Sequence, residues 1–154
     1  MSQLAKYNSN KTLVETWFSR FWGNPADLSV IDDLLADEVV VDYPKRSMLK
    51  GRDQVRQFMQ HFRAAYPDLH FWPVGELIAE GDYVIGRWDG LATHTGAAFD
   101  DPVVGVPQAN SGLKLRFTGG TIRFHIVNGK IIEERAREQA LMVIPSLDFR
   151  YQCR

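Results

Sequence analysis

The sequence predicts an α+β fold in which helices come first and a curled antiparallel sheet follows. Apolar residues recur at helical spacing in three segments before residue 67. After Pro67 the apolar period changes from about 3.6 residues to about 2, which is typical of strands. Asn128-Gly129, a strong two-residue hairpin signal, joins the last two predicted strands. The natural cavity of such a fold lies between the sheet and the helices.

Three helices are predicted in the first half of the chain. The first covers residues 10–22 and ends before Gly23. The second is shorter and covers residues 25–37, with a proline at its start, where the missing N–H costs nothing. The third covers residues 53–66, because Asp53 is a suitable N-cap and the following proline ends the helix.

Five strands are predicted from β-branched runs and alternating polarity. They cover residues 38–43, 69–80, 83–95, 113–127 and 130–142. Residues 96–112 contain Gly, Pro, Asn and Asp throughout and are predicted to form a long loop.

Composition indicates one globular domain over residues 1–154, since 45% of the residues are hydrophobic and 24% are charged. Lys and Arg number 18 against 19 Asp and Glu, so we expect neither nucleic acid nor a membrane surface as a partner. The lone Cys153 excludes an internal disulfide, and the first ten residues lack the apolar run of a signal peptide. We therefore expect a soluble, cytoplasmic protein whose partner is a small molecule.

Common catalytic motifs are absent from the sequence. It has no Gly-rich phosphate loop, no G-x-S-x-G elbow, no H-E-x-x-H and no C-x-x-C pair. None of the four histidines has the local spacing of metal ligands, so no metal site is expected.

His94 is the strongest single candidate for chemistry. It shares a predicted strand face with Trp88 and several small residues, which leaves room for a ligand beside an aromatic wall. An imidazole exchanges protons near neutral pH, which suits general acid–base catalysis. A buried histidine satisfied by a backbone carbonyl is the open alternative. His125 on the neighbouring hairpin is a secondary candidate, because Gly119-Gly120 leaves its strand face uncertain by one residue.

The last predicted strand is unusually polar for the interior of a sheet. Alternation places Arg135, Arg137 and Gln139 on one face, and Glu134, Ala136 and Glu138 on the other. Whichever set faces the cavity would supply an anion clamp or a carboxylate base. The alternative is a solvated or dimer-forming face held by ion pairs.

Two further groups of residues could reach the same space. Asp42 and Tyr43, at the end of the first strand, could direct a carboxylate and a phenol towards it. Trp17 and Phe21 on the first helix are expected to form core and cavity wall.

Several short motifs follow one another with a distinctive spacing. They are Gly51-Arg52-Asp53 at a helix start, Tyr66-Pro67-Asp68-Leu69, Ala79-Glu80-Gly81-Asp82-Tyr83-Val84, Arg87-Trp88, Thr93-His94-Thr95-Gly96 and Asn128-Gly129-Lys130-Ile131. Over residues 10–144 the chain resembles the SnoaL-like polyketide cyclases, also called ester cyclases, of the nuclear transport factor two-like superfamily. The resemblance implies a cone-shaped, curved antiparallel sheet wrapped around three helices, a pocket in the cone, no cofactor and frequent dimerisation through the sheet.

The resemblance also implies an activity. The family's founding cyclases close a ring in a polyketide ester by an intramolecular aldol reaction, with an acidic residue near the end of the last strand as general acid–base. The corresponding position here is Gln139, which cannot exchange a proton usefully at neutral pH. The neighbouring Glu138 would replace it only after a one-residue change of register, which reverses its face. Arg135 stands where the family often has an aromatic residue.

Our hypothesis from the sequence is a cofactor-free enzyme that acts by proton transfer on an apolar carbonyl compound, with His94 as the acid–base group. Asp42 or Glu138 would orient the imidazole or hold a proton, and Arg135 or Arg137 would stabilise an enolate or carboxylate oxygen. The other expected substrate contacts are Trp88, Tyr43, Trp17, Phe21, Gln139 and His125.

Two alternatives remain open at this point. One is a non-catalytic module that binds a small ligand or forms a homodimer. The other is an isomerase or dehydratase, for which Tyr43 and His94 form the obvious pair.

Overall fold

The computed structural model describes residues 2–99, 111–138 and 140–144. Its helices are α1 (Gln3–Arg20), α2 (Val30–Leu34) and α3 (Gly51–Ala65). Its strands are β1 (Leu35–Asp42), β2 (Leu49–Lys50), β3 (His70–Glu80), β4 (Tyr83–Thr93), β5 (Lys114–Val127), β6 (Lys130–Arg137) and β7 (Ala140–Ile144). The predicted α+β fold, with helices packed against a curved sheet, is confirmed.

The strands form one sheet in the order β2-β1-β6-β5-β4-β3, with β7 paired to β5. All pairings are antiparallel except that of β1 with β6, which is parallel. The expected antiparallel meander is therefore correct for β3 to β6, but the sheet as a whole is mixed. Sequence patterns could not identify this pairing, because β1 and β6 lie far apart along the chain.

The short strand β2 was not predicted, and the bounds of several elements differ from the predictions, most clearly those of α1, α2 and the last strand. Helix α1 begins earlier than residue 10, because Ser2 caps it by accepting a hydrogen bond from the Ala5 N–H at 3.2 Å. Helix α2 is shorter than predicted, since Leu35 already adopts extended backbone and pairs with Ile131 of β6. The last predicted strand is divided into β6 and β7, which both pair with β5.

Strand β6 contains a β-bulge near its start. Ile131 pairs with Ile126 of β5, whereas Glu133 pairs with the preceding residue His125. Ile132 is therefore an extra residue with no partner of its own in β5. A bulge of this kind shifts the alternation of side chains by one position.

Because of this shift, Ile131, Glu134 and Ala136 are all buried beneath the helices. Arg135 and Arg137 lie on the opposite, outer face of the sheet. Of the two polar sets that alternation left open, the one containing Glu134 is the inward set.

The core is one cluster of buried side chains between the sheet and the helices. None of the helices within residues 2–99, 111–138 and 140–144 is long and apolar enough to cross a membrane.

Arg63 connects α3 to two other parts of the core. Its guanidinium donates hydrogen bonds to the backbone carbonyls of Phe21 at 2.7 Å, Gly23 at 2.8 Å and Leu69 at 2.9 Å. Burial lowers the pKa of Arg63 to about 10, so the side chain keeps its positive charge at neutral pH. This one side chain holds the end of α1 and the start of β3 against α3. All three elements contribute to the cavity wall.

We expect Arg63→Met to lower the free energy of unfolding by about 3 kcal/mol, because three carbonyls lose a charged donor. Arg56→Met is the matched control. Arg56 lies on the same helix, but its partners Asp32 and Asp53 are exposed, so its loss should cost less than about 1 kcal/mol. Urea unfolding followed by circular dichroism measures both. Equal losses in the two variants would contradict the role of Arg63.

Candidate functional site

A narrow cavity of about 60 Å³ lies between the sheet and the helices. Its walls are mainly aromatic rings contributed by α1 and the residues after it, by α3, and by β3, β4 and β5. These rings belong to Phe18, Trp22, Phe58, Phe62, Phe71, Trp88 and Phe117. Such a lining favours an apolar ligand group and excludes bulk water.

Four described lining residues carry a hydroxyl or a charged group, namely Tyr43, Arg46, Glu134 and Glu138. An outer depression of about 320 Å³ adjoins the cavity and shares Tyr43, Pro44, Arg46 and Glu138 with it. The inner cavity is therefore apolar with few polar groups, and the depression beside it is charged.

Glu134 is the most unusual polar residue of the cavity. It is fully buried, and neither carboxyl oxygen has a hydrogen-bond partner of acceptable geometry. The Nε1 of Trp17 and the hydroxyl of Tyr43 are also buried without a partner. Buried polar atoms in folded proteins are nearly always satisfied, so a cluster of unsatisfied ones indicates a functional site. A ligand oxygen could accept from the donors, whereas the ionised carboxylate requires a ligand O–H or N–H, or a proton of its own.

The environment of Glu134 shifts its titration to the physiological range. Burial raises the pKa of its carboxyl group from 4.5 to about 8, and the nearby donors Trp22, Trp17 and Tyr43 oppose that increase. Burial and the neighbouring Glu134 also raise the pKa of the Tyr43 hydroxyl, which therefore stays protonated. Near neutral pH the carboxyl group is present in both protonation states, as an acid–base catalyst requires.

His94 occupies a different place from the one expected. Its Nε2 lies 2.6 Å from the carbonyl oxygen of Ala97, so this nitrogen carries the proton and donates it. Its Nδ1 lies 2.7 Å from the Ser111 hydroxyl and accepts from it. His94 is fully buried and is not among the described residues that line the cavity. This is the arrangement of the open alternative, a core histidine satisfied by a backbone carbonyl.

The backbone of His94 has a related structural role. Its N–H donates to Leu113 O and its carbonyl accepts from Gly112 N–H, both at 2.8 Å. His94 thereby joins the end of β4 to the residues just before β5.

Asp42 is paired with arginines on the outer face of the sheet and does not orient His94. Its Oδ2 accepts from Arg135 at 3.1 Å and from Arg137 at 2.8 Å. Arg135 also donates to Glu133 at 3.1 Å, and this pairing lowers the pKa of the Glu133 carboxyl. Both arginines therefore lie across the sheet from Glu134, on the ion-paired face that the sequence left as an alternative.

The expected aromatic contacts are placed in two layers. Trp88 and Tyr43 line the cavity directly. Trp17 and Phe21 are stacked behind that wall, with ring centroids 4.1 Å apart. The Trp88 ring packs closely on Gly120, where an added Cβ would approach it to 2.2 Å.

Of the remaining predicted site residues, one lines the cavity and one lies away from it. Glu138 lines the cavity. His125 lies away from it and stacks on Tyr83, with ring centroids 4.4 Å apart. Gln139 lies outside the described residues. No group of three or more His, Cys, Asp and Glu in the described ranges is arranged to hold a metal ion.

Sequence reasoning did not select Glu134, Arg46 or Trp22 as site residues. Alternation had placed Glu134 in one of two candidate faces, but the bulge that selects this face has no clear sequence signal. Arg46 follows the first predicted strand without any motif around it.

The family model of the SnoaL-like polyketide cyclases matches residues 12–145. The chain belongs to this family. The resemblance noted from its short motifs is thereby confirmed, whereas no curated protein matches the chain.

Solved structures with the same fold carry several different names. A protein from Jannaschia sp. CCS1, named as a SnoaL-like polyketide cyclase, is 20% identical, with a TM-score of 0.72 and 90% of each chain covered. AclR of Streptomyces galilaeus, named as a hydroxylase, is 25% identical, with a TM-score of 0.64, covering 86% of this chain and 76% of its own. An LEH-like epoxide hydrolase of M. tuberculosis is 14% identical, with a TM-score of 0.63, covering 87% and 85%. One fold thus accompanies different reaction names, so the chemistry must be argued from the cavity.

We expect the raised pKa of Glu134 to make stability depend on pH. The folded state keeps a proton that the unfolded state releases between pH 4.5 and about 8. The stabilising effect is complete below pH 4.5 and is lost as the pH rises through 8. In that window the free energy of unfolding of the wild type, relative to Glu134→Gln, should fall by up to about 1.4 kcal/mol per pH unit.

Urea unfolding at a series of pH values measures this difference. Glu133→Gln is the matched control, because Glu133 is the neighbouring carboxyl on the opposite face and its pKa is lowered. The contribution of Glu133 to stability is lost as the pH falls. Above about pH 5, the free energies of unfolding of the wild type and of Glu133→Gln should therefore change in parallel with pH. Parallel curves for wild type and Glu134→Gln would instead show that Glu134 has an ordinary pKa.

Proposed function

We propose that the protein is a cofactor-free small-molecule enzyme of the cyclase type, in which Glu134 transfers protons to and from an apolar carbonyl substrate. The observation that carries this proposal is a fully buried carboxyl group in the wall of an aromatic cavity, with no cationic side chain of the described residues paired to it and with the donors Trp22, Trp17 and Tyr43 nearby. A pKa of about 8 gives this group both protonation states near neutral pH. Low local polarity strengthens its interaction with charge that develops on the substrate.

The proposed reaction begins with the ionised form of Glu134. Its carboxylate removes a proton from the carbon next to the substrate carbonyl, and the electron pair moves onto the carbonyl oxygen to form an enolate. The Tyr43 hydroxyl, which lines the cavity near Glu134 and whose pKa is raised, donates a hydrogen bond to that oxygen. The indole N–H groups of Trp17 and Trp22 lie near the Glu134 carboxyl and favour its ionised form.

The proton now on Glu134 completes the reaction. In an aldol ring closure, the enolate carbon attacks a second carbonyl of the same molecule, and the resulting alkoxide takes the proton from Glu134. This restores the carboxylate with no net gain or loss of protons. With a β,γ-unsaturated carbonyl compound the same deprotonation gives a dienolate, and returning the proton from Glu134 to its γ-carbon would move the double bond, which is an isomerase reaction. Trp88 provides the aromatic wall against which the substrate packs in either case.

Glu134 fits this role better than His94 does. Both ring nitrogens of His94 are already bound within the protein, and its ring does not line the cavity among the described residues. Glu134 lines the cavity, and the hydroxyl of Tyr43 lies near it on the same wall.

A non-catalytic ligand-binding module is the competing proposal. The same aromatic cavity would bind an apolar molecule without any proton transfer. The two proposals differ in the effect of the carboxyl group, because binding to an aromatic wall does not require a base.

We also propose that a second copy of the chain covers the outer face of β3 and β4. Ile78 and Ile85 pair across these strands and are 65% and 48% exposed, and Leu91 is exposed on the same face of β4. An exposed apolar strip of this kind is typical of an interaction surface. On the same outer face, Glu133 forms ion pairs with Arg123 and Arg135 of β5 and β6, so the charges beside the strip are compensated within the chain.

The first prediction of the proposed function concerns the exchange of the methyl protons of acetophenone for deuterium in D₂O, followed by proton NMR. Acetophenone is a small enolisable probe with one apolar ring. We expect the wild type to accelerate this exchange and Glu134→Gln to lose at least about 100-fold of the acceleration, since a positioned general base contributes about that much.

The matched control for that experiment is Glu133→Gln, which removes a carboxyl group from the opposite face of the same strand. It should exchange acetophenone as the wild type does. If Glu134→Gln retains full activity, or if the wild type binds acetophenone without exchanging it, the ligand-binding proposal replaces the enzymatic one.

The second prediction concerns the homodimer. Sedimentation velocity should show the wild type as a dimer and Ile85→Lys as a monomer, because a lysine in the centre of the apolar strip would have to lose its hydration. Lys114→Gln, at the far end of β5, is the control and should remain dimeric. A wild type that stays monomeric at high concentration would contradict the proposed interface.

A further inference from the structure

We propose that the outer depression is a subsite for an anionic group of the substrate, and that Arg46 binds this group. The substrate class is then narrower than an apolar carbonyl compound. It is a compound with a reactive carbonyl at one end and a carboxylate, or an equivalent anion, at the other. This inference rests on the proposed function, because it assumes that the carbonyl end reaches Glu134.

The sizes of the two spaces support a substrate in two parts. The inner cavity is about 60 Å³, which is small beside the several hundred Å³ typical of small-molecule sites. The adjoining depression is about 320 Å³. A molecule whose carbonyl end approaches Glu134 must therefore extend past Tyr43 and Arg46 into the depression, because these residues line both spaces.

The charges of the depression favour an anion there. Its described lining includes the cationic side chains of Lys45, Arg46 and Arg137 and the carboxylates of Asp42 and Glu138. Asp42 accepts a hydrogen bond from Arg137 at 2.8 Å, so these two opposite charges compensate each other. The formal balance of the lining is positive, and of its three cations Arg46 also lines the inner cavity.

Arg46 is held in position by three aromatic rings. Its guanidinium carbon lies 5.3 Å from the ring centroid of Phe58, 5.5 Å from that of Phe62 and 5.6 Å from that of Phe99. Contacts of this kind use the attraction between a cation and the face of a ring. The N–H donors of a guanidinium lie in its plane, in a fork that matches a carboxylate. A side chain already ordered in this way loses little conformational freedom when it binds an anion.

The charge of Arg46 also reaches the inner cavity. It lowers the pKa of Tyr43, against the larger upward effects of burial and Glu134. Arg46 is therefore close enough to Tyr43 for one substrate to contact both. A carboxylate at Arg46 would fix the direction in which the carbonyl end enters the cavity.

Binding of 4-acetylbenzoate and 4-acetylbenzamide, measured by isothermal titration calorimetry at neutral pH, tests this subsite. The two probes share the same ring and ketone and differ in the charge of one substituent. We expect the wild type to bind the carboxylate at least about tenfold more tightly, as for a hydrogen-bonded charge pair. Arg46→Met should remove this preference while leaving the affinity for the amide within about twofold.

Two further variants complete the design. Arg46→Lys keeps the positive charge and should retain part of the preference for the carboxylate. Arg56→Met removes an arginine from α3 that pairs with exposed Asp32 and Asp53, and it should keep the full preference. Circular dichroism of each variant verifies that it is folded.

The inference is overturned if the wild type binds both probes equally, or if Arg46→Met weakens both probes to the same extent. The second result would show that Arg46 only shapes the cavity wall. Acetophenone exchange separates these failures from that of the proposed function, since acetophenone carries no anion. If acetophenone exchange depends on Glu134 but the carboxylate probe is not preferred, the proposed enzymatic function is supported and the anion subsite is ruled out.

Discussion

The bulge at Ile132 is the constraint on which the arrangement of the site depends. In a regular strand that follows the register of Ile131, residues 133 and 135 would point towards the helices. The extra residue turns Glu134 inwards instead and leaves Arg135 outside, where it pairs with Asp42. A single backbone irregularity thus separates an unpaired carboxyl group from the arginines next to it in sequence. Had one of them shared the cavity, it would have lowered the pKa of that carboxyl group.

This separation has an energetic consequence for the fold. An ionised carboxylate without a partner is unfavourable in an aromatic environment, so Glu134 opposes folding increasingly as the pH rises towards 8. The rest of the molecule must supply the compensating stability. It does so through one continuous core and through Arg63, which holds three backbone carbonyls of neighbouring elements. Instability concentrated at one side chain and offset elsewhere is typical of functional sites.

Local patterns in the sequence predicted the order of the elements, and the structure confirms the α+β fold. They also indicated Trp88 and Tyr43 as substrate contacts, and both side chains line the cavity. They could not predict the parallel pairing of β1 with β6, because it joins distant segments. Nor could they show whether His94 faces a ligand, since its partners Ala97 and Ser111 lie outside any predicted helix or strand.

The position of the acid also bears on which molecules the cavity can accept. The family resemblance placed an acidic residue at position 139, where this sequence has glutamine. Glu134 lies five positions earlier on β6, buried near the indole of Trp17. A reacting carbonyl must therefore pass the aromatic side chains that line the cavity. A narrow inner space with a charged depression beside it selects elongated molecules with unlike ends, and Arg46 lies where the two spaces meet. In a shared fold, a few polar side chains determine which substrate binds and reacts. Proteins with the same fold can therefore carry names of different reactions.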